Sequence, residues 1–126
     1  DKKIPGSRHY IHAKDVADGM LFLLQNQDKI GSLEKDYGGA KCSKFNLVGP
    51  VEWDNLVLAQ KIAMAQNKEL KYKMVDFHSS RPGQDLRYAL DGSLMKELGW
   101  EPKVSIEERI NQVVNWTLNN DRWLKL

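Results

Sequence analysis

The chain has a single cysteine, Cys42, among 126 residues. That excludes an internal disulfide and fits a reducing compartment. It lacks a long apolar run: the longest, Met20 to Leu24, is far short of the roughly 20 residues that span a bilayer. No charged-then-apolar leader opens it, so the expectation is a cytoplasmic protein with no membrane partner. It also lacks a dominant charge: 19 Lys and Arg stand against 17 Asp and Glu, net +2. That is too balanced for a nucleic-acid binder that neutralises phosphates over a broad face. No glycine-rich turn joins a strand to a helix, so no dinucleotide fingerprint is present. No helical tyrosine precedes a lysine by four residues; Tyr72 and Lys73 are adjacent, and Tyr37 precedes Lys41 only in a glycine-bearing loop. Strand spacing sends His9 and His12 to opposite faces and His78 has no partner cluster, so no metal site is expected. Cys42 has no neighbouring arrangement that would activate a thiolate, which leaves a plain loop thiol.

What is present reads as one α/β domain over residues 1–126, with about four helices and short strands. Apolar residues make up 41%, enough for a single core. Asp1 to Gly6 reads as the tail of a loop that began upstream, which implies a fragment. Arg8 to His12 is β-prone, with Arg8, Tyr10 and His12 on one side and His9 and Ile11 on the other. A helix is expected from Asp15 to Gln25 with Val16, Met20, Leu23 and Leu24 inward, then a long loop from Asn26 to Ser43. Lys44 to Val48 looks like a strand. A helix from Trp53 to Ala65 should turn Leu56, Ala59, Ile62 and Ala63 inward. Leu70 to Val75 alternates like a strand, as does Leu86 to Leu90. Asp91 caps a short helix through Leu98 that Gly99 ends. Ser105 and Glu108 form a capping-box pattern, opening a helix to Asn119 with Ile106, Ile110, Val113 and Val114 inward. Trp53, Trp100, Trp116 and Trp123 read as packing anchors.

The run from Arg81 to Asp91 carries the clearest chemistry. Pro82 and Gly83 can hold a rigid turn, and Arg81 at its mouth presents a planar donor fork suited to phosphate. Alone, this reads first as an ordinary connecting turn whose charges face water. Arg8 supplies a second arginine, and a nucleotide diphosphate brings about two negative charges. Each charge-assisted contact contributes on the order of 1.5–3 kcal/mol.

Four segments in order, Arg8-His9-Tyr10-Ile11-His12-Ala13-Lys14-Asp15-Val16-Ala17-Asp18, Phe45 to Gly49 with Glu52 and Asn55, Arg81 to Asp91, and Glu97 to Pro102, together closely resemble the C-terminal part of extended short-chain dehydrogenase/reductases acting on nucleotide sugars. The Arg-Pro-Gly-x-Asp-x-Arg-Tyr-Ala-Leu-Asp run looks most like the dTDP-glucose 4,6-dehydratases, with UDP-sugar 4-epimerases and decarboxylases close behind. The resemblance implies the substrate-binding lobe of a Rossmann-type enzyme whose dinucleotide half is missing from this sequence. By the same resemblance, Arg8 and Arg81 contact the pyrophosphate, Tyr10 faces that site and Asn46 helps hold the sugar nucleotide. Gln84 stands near the ribose or diphosphate where the family has histidine or aspartate, and Val48 replaces a common glycine. NAD, the tyrosine–lysine pair and the acid–base residues would all belong to the N-terminal Rossmann domain. No catalytic residue is therefore expected here. The implied partners are a nucleotide-diphosphate sugar and that Rossmann domain, in a full-length homodimer.

Three functions stay open on sequence: substrate binding within a nucleotide-sugar dehydratase or epimerase, a free-standing nucleotide-diphosphate binding module, and a protein-interaction domain whose arginines serve the surface.

Overall fold

The structure is a computed structural model that describes residues 3–36, 44–76, 79 and 82–125, with the side chains of 32–36 left aside. Tyr37, Lys41, Cys42, His78 and Arg81 lie outside the described residues. The described chain is a small α/β unit: a three-stranded mixed sheet and five α-helices, one helix more than expected.

The sheet is made from three very short strands, β1 (Ser7–His9), β2 (Glu52–Asp54) and β3 (Arg87–Tyr88), in the order β2-β1-β3. β1 runs antiparallel to β2, with Ser7 opposite Asp54, Arg8 opposite Trp53 and His9 opposite Glu52. It runs parallel to β3, with Ser7 beside Arg87 and Arg8 beside Tyr88. Residues paired in register share a face. One face therefore carries Ser7, His9, Glu52 and Arg87, and the other carries Arg8, Trp53 and Tyr88.

Helix α1 (Ala13–Gln25) starts two residues earlier than its periodicity implies, because the His12 ring caps it by accepting from the Lys14 N–H at 2.9 Å. Its buried positions are Asp15 and Gly19, whereas Met20 and Leu24 are exposed. Of the four residues expected inward, Met20 and Leu24 are thus turned outward while Val16 and Leu23 are half-buried. Gly19 is small for a reason: a Cβ there would stand 2.6 Å from Leu47 Cδ2 and 2.9 Å from Trp100 Cζ2. Trp100 lies in that space and donates its indole N–H to Asp18.

Helix α2 (Gln27–Asp36) replaces most of the expected loop from Asn26 to Ser43. Asp54 caps α3 (Asn55–Ala65) by accepting from the Val57 N–H, so the start of the expected helix at Trp53 belongs to β2. Lys44 to Val48 and Leu70 to Val75 join no sheet. Helix α4 (Ser93–Glu97) ends as Gly99 predicts: with φ at 97°, Gly99 donates to Lys96 O while Trp100 donates to Met95 O. This double closure satisfies the last carbonyls of the helix. Helix α5 (Ile106–Leu118) is capped by Ser105, whose hydroxyl accepts from the Glu108 N–H. A 3-10 turn, Asp121–Trp123, returns Trp123 to Trp116 with ring centroids 6.1 Å apart.

The core lies between α5, α3 and one face of the sheet. Ile106, Ile110 and Val114, one helical turn apart, are buried together with Tyr10, Trp53, Leu58 and Ala65 packed on them. Val113, expected inward, is exposed. Met95 and Trp100 form a second buried layer beside α1. Asp15 is buried and receives a fork of hydrogen bonds from Arg109, Nε to both carboxylate oxygens and Nη2 to Oδ1. That contact fastens α1 to α5.

Candidate functional site

The middle strand sets the site. Pairing β1 parallel to β3 brings Arg8, near the start of the chain, against the segment that follows the arginine turn. The Ser7 N–H donates to Leu86 O at 2.8 Å. Arg8 Nη1 donates to Ser7 O at 2.5 Å and to Leu86 O at 3.1 Å, and its Nη2 donates to Asp85 O at 3.2 Å. Its guanidinium carbon lies 4.3 Å from the centre of the Tyr88 ring. A guanidinium has five N–H donors, so these carbonyl contacts orient the fork without exhausting it. The plane is held by stacking and hydrogen bonds together.

Upstream of Arg8's partners, Pro82 and Gly83 form the expected turn, and Gly83 takes the positive φ of 79° that a type II turn demands. Gln84 follows it and is exposed.

Tyr10, expected in the same strand as Arg8, lies just beyond the end of β1 and on the core. Its hydroxyl donates to Asn55 Oδ1, at the start of α3, while its ring packs on the Ile106–Val114 cluster. Burial pushes that hydroxyl above its ordinary value, with the Arg8 charge opposing. Asn46 sits at the opposite end of β3 from the Arg8 fork. Its amide donates to Asp91 O at 2.9 Å, while the Asp91 carboxylate accepts from the Ser93 N–H ahead of α4. Asn46, Gly49, Ser93, Lys96 and Glu101 border a cavity of about 310 Å³. A Cβ on Gly49 would fall 1.9 Å from Tyr10 O, so only glycine lets this segment lie against the end of β1.

Of the five residues singled out by sequence, the described structure sets Arg8 on β1 against the β3 segment and Tyr10 just past β1 on Asn55 and the core, with Asn46 and Gln84 at separate ends of the β3 segment. Arg81 lies outside the described residues.

Sequence reasoning overlooked the role of Arg87. Its Nε and Nη2 donate to Glu52 Oε1 and Oε2 at 2.7 and 2.8 Å, a two-pronged ion pair. Glu52 also accepts from the Ser7 hydroxyl at 2.6 Å and stands 3.7 Å from His9 Nε2. The Arg87 fork first, then the Ser7 hydroxyl, holds the Glu52 carboxyl at about 2, well below the ordinary 4.5. The signal available in the sequence was only that Glu52 and Arg87 both stand in the resembling segments.

A second cavity, about 330 Å³, opens between α3 and α5 and is lined by apolar side chains such as Leu58, Ile62, Ile110 and Val113. Its one arginine, Arg109, is engaged by Asp15. Its chemistry therefore suits packing rather than an anion. Among the described residues no three His, Cys, Asp or Glu side chains gather as metal ligands, and no helix is long and apolar enough to cross a membrane.

Comparison with known proteins gives the family and the fold. The family described as GDP-mannose 4,6 dehydratase matches residues 3–113. A dTDP-glucose 4,6-dehydratase of Haemophilus influenzae is 35% identical over 94 residues, covering 71% of this chain and 27% of the relative. Its counterpart from Xanthomonas campestris is 34% identical over 89 residues, 64% of this chain and 25% of the relative. A low-salt glycan biosynthesis protein of Haloferax volcanii is 35% identical over 114 residues, 90% of this chain and 32% of the relative. The chain thus spans a quarter to a third of the length of these relatives. The solved dTDP-glucose 4,6-dehydratase of Bacillus anthracis, in complex with NAD, shares the fold with a TM-score of 0.68 at 23% identity, over 94% of this chain and 33% of that one. The chain belongs to the nucleotide-sugar 4,6-dehydratase family described as GDP-mannose 4,6 dehydratase.

Proposed function

We propose that this chain is the substrate-binding part of an NAD-dependent nucleotide-sugar 4,6-dehydratase resembling dTDP-glucose 4,6-dehydratase, and that it grips the nucleotide diphosphate and helps close the cleft over the sugar. One observation carries the reading. The guanidinium of Arg8 is fixed against the carbonyls of Asp85 and Leu86, and Asp85 follows Arg81 by four residues in the chain. In this reading Arg8 and Arg81 neutralise the diphosphate, Tyr10 and Asn46 bound the site, and Gln84 stands near the ribose or diphosphate.

NAD fits none of the strand–helix junctions described. Tyr10, Ile11 and His12 join β1 to α1 without a glycine, and β2 passes straight into α3 at the Asp54 cap. The link from β3 to α4 has a single glycine, Gly92, which lies against the Val48 side chain. None of the three offers the glycine-rich backbone cradle that a pyrophosphate needs at a helix N-terminus. The cofactor belongs, in this reading, to the part of the enzyme outside this sequence, and the residues here bind, orient and exclude water. Met20, Leu21 and Leu24, exposed along α1, would pack against that part.

Calorimetric titration of dTDP-glucose and UDP-glucose into the chain at low salt tests this. Saturable binding is expected, weakened roughly tenfold or more by Arg8→Ala or Arg81→Ala, with no turnover. Absence of binding at millimolar ligand would overturn the reading.

A further inference from the structure

We propose that Glu52 and Arg87 are positioning residues for the diphosphate site: their ion pair, made on the sheet face opposite Arg8, locks β3 in register against β1 and so fixes the Arg8 guanidinium. This rests on the proposed substrate-binding role and adds to it the device that holds the site in shape.

The strands are too short to hold themselves. With three, three and two residues, the ladder contains few hydrogen bonds, and isolated ribbons of this size are marginal in water. Register matters more here than in a longer sheet. A slip of one residue would exchange the faces of Arg87 and Tyr88, removing the ring that Arg8 stacks on. It would also shift the Asp85 and Leu86 carbonyls that orient the Arg8 fork.

Glu52 is placed to prevent this. From β2 it reaches across the middle strand, accepting from Ser7 on β1 and from both nitrogens of the Arg87 fork on β3. One carboxylate thus ties all three strands together. The contact is geometrically specific, because a planar fork matches a carboxylate in one arrangement. Arg87 stays 61% exposed as a side chain, so its donors point to Glu52 by choice of partner rather than by confinement. Register puts Arg87 with Ser7 and Arg8 with Tyr88, so Arg87 works from the face away from the proposed ligand.

The test combines a double-mutant cycle with a reading that needs no ligand. In Arg87→Ala and Glu52→Ala, affinity for dTDP-glucose should fall by a similar factor, about three- to fivefold. The double variant should be no weaker than either single one. The reversed pair, Glu52→Arg with Arg87→Glu, should recover most of the affinity, while Arg87→Lys, a charge without a fork, should recover little. Exchange of the Ser7 amide hydrogen, which bonds to Leu86 O, should quicken about three- to fivefold in the single variants and slow again in the reversed pair. If Arg87→Ala lowers affinity as far as Arg8→Ala while Glu52→Ala does not, Arg87 touches the ligand itself and the proposal is wrong. Unchanged Ser7 exchange in Arg87→Ala also overturns it. If the unaltered chain binds no nucleotide sugar, the substrate-binding reading fails, and Ser7 exchange alone still decides whether the lock exists.

Discussion

Asp15 and Arg109 meet in the interior with 6% and 12% of their side chains exposed, whereas Glu52 and Arg87 meet at the surface with 27% and 61% exposed. Both pairs use the same chemistry, a guanidinium fork on a carboxylate. Both join residues far apart in sequence. Their surroundings give them opposite meanings. The interior pair sits where either charge alone would be stranded away from water, so its members depend on one another. The surface pair sits where water and salt can replace each partner, so its energy is small and its geometry is what counts. One holds helices together, and the other aligns strands under a proposed ligand site.

Removing half of the interior pair should produce the largest effect. Asp15→Ala takes the carboxylate away from the Arg109 fork and leaves Gln112 accepting from Nη1 at 2.8 Å. The largest loss of stability is expected here, read as a fall in the urea midpoint without a change in slope. Replacing both partners, Asp15→Leu with Arg109→Met, should recover much of that loss, because well-packed apolar substitutes often match a buried pair. Equal destabilisation by the single and double variants would show that the pair is not the reason α1 stays docked.

His12 sharpens the same side of the comparison at smaller scale. Its ring accepts from the Lys14 N–H, which requires an unprotonated nitrogen. Burial first, then the Arg109 charge, lowers its pKa below 6.5, against a weaker pull upward from Asp15. The folded chain therefore resists protonation more than the unfolded chain does. Stability should be full above about pH 6.5 and decline as pH falls through the folded value. His12→Asn retains a capping acceptor and should flatten that slope, leaving stability at neutral pH within about 1 kcal/mol of the parent. An unaltered slope between pH 7 and 5 would place the titration elsewhere.

Much of the helical half was legible because its causes are local. Ser105 as a cap, the spacing of Ile106, Ile110 and Val114, and Gly99 after Leu98 are signals within a few residues, and each does in the fold what it indicates in sequence, although the Glu108 carboxylate of the expected capping box accepts from Gln112. α1 was legible as a helix but not in its orientation: apolar periodicity points Met20 and Leu24 inward, whereas packing against Trp100 needs the narrow side at Gly19. α2 was missed because a polar segment carrying Gly31 gives no apolar stripe. Lys44–Val48 and Leu70–Val75 show strand alternation, which favours extended backbone but supplies no partner. Neither carboxylate–arginine pair was readable, since 94 residues separate Asp15 from Arg109 and 35 separate Glu52 from Arg87. Of the proposed site, Arg8 does fall in a strand as its β-prone run indicates, but Tyr10 lies past that strand's end, and the stacking on Tyr88 depends on a pairing with β3 that alternation does not specify.

The smallest effect belongs to the surface pair, and its signature is dependence on pH and salt rather than size. Glu52 is held at about 2 in the fold against an ordinary 4.5, so the unfolded chain takes up its proton first as acid is added. The contribution is whole above about pH 4.5 and drains away between there and about pH 2. Solvent screening of a pair this exposed keeps it modest, and 1 M salt, with a Debye length of about 3 Å, should suppress most of it. Thermal melts of the parent and Arg87→Ala at pH 6 should therefore differ slightly in 20 mM salt and converge in 1 M salt. The Asp15→Ala deficit should survive the same salt, because its loss arises from desolvation rather than from long-range attraction. If salt narrowed both differences equally, the interior pair would be as wet as the surface one, and the division of labour between them would disappear.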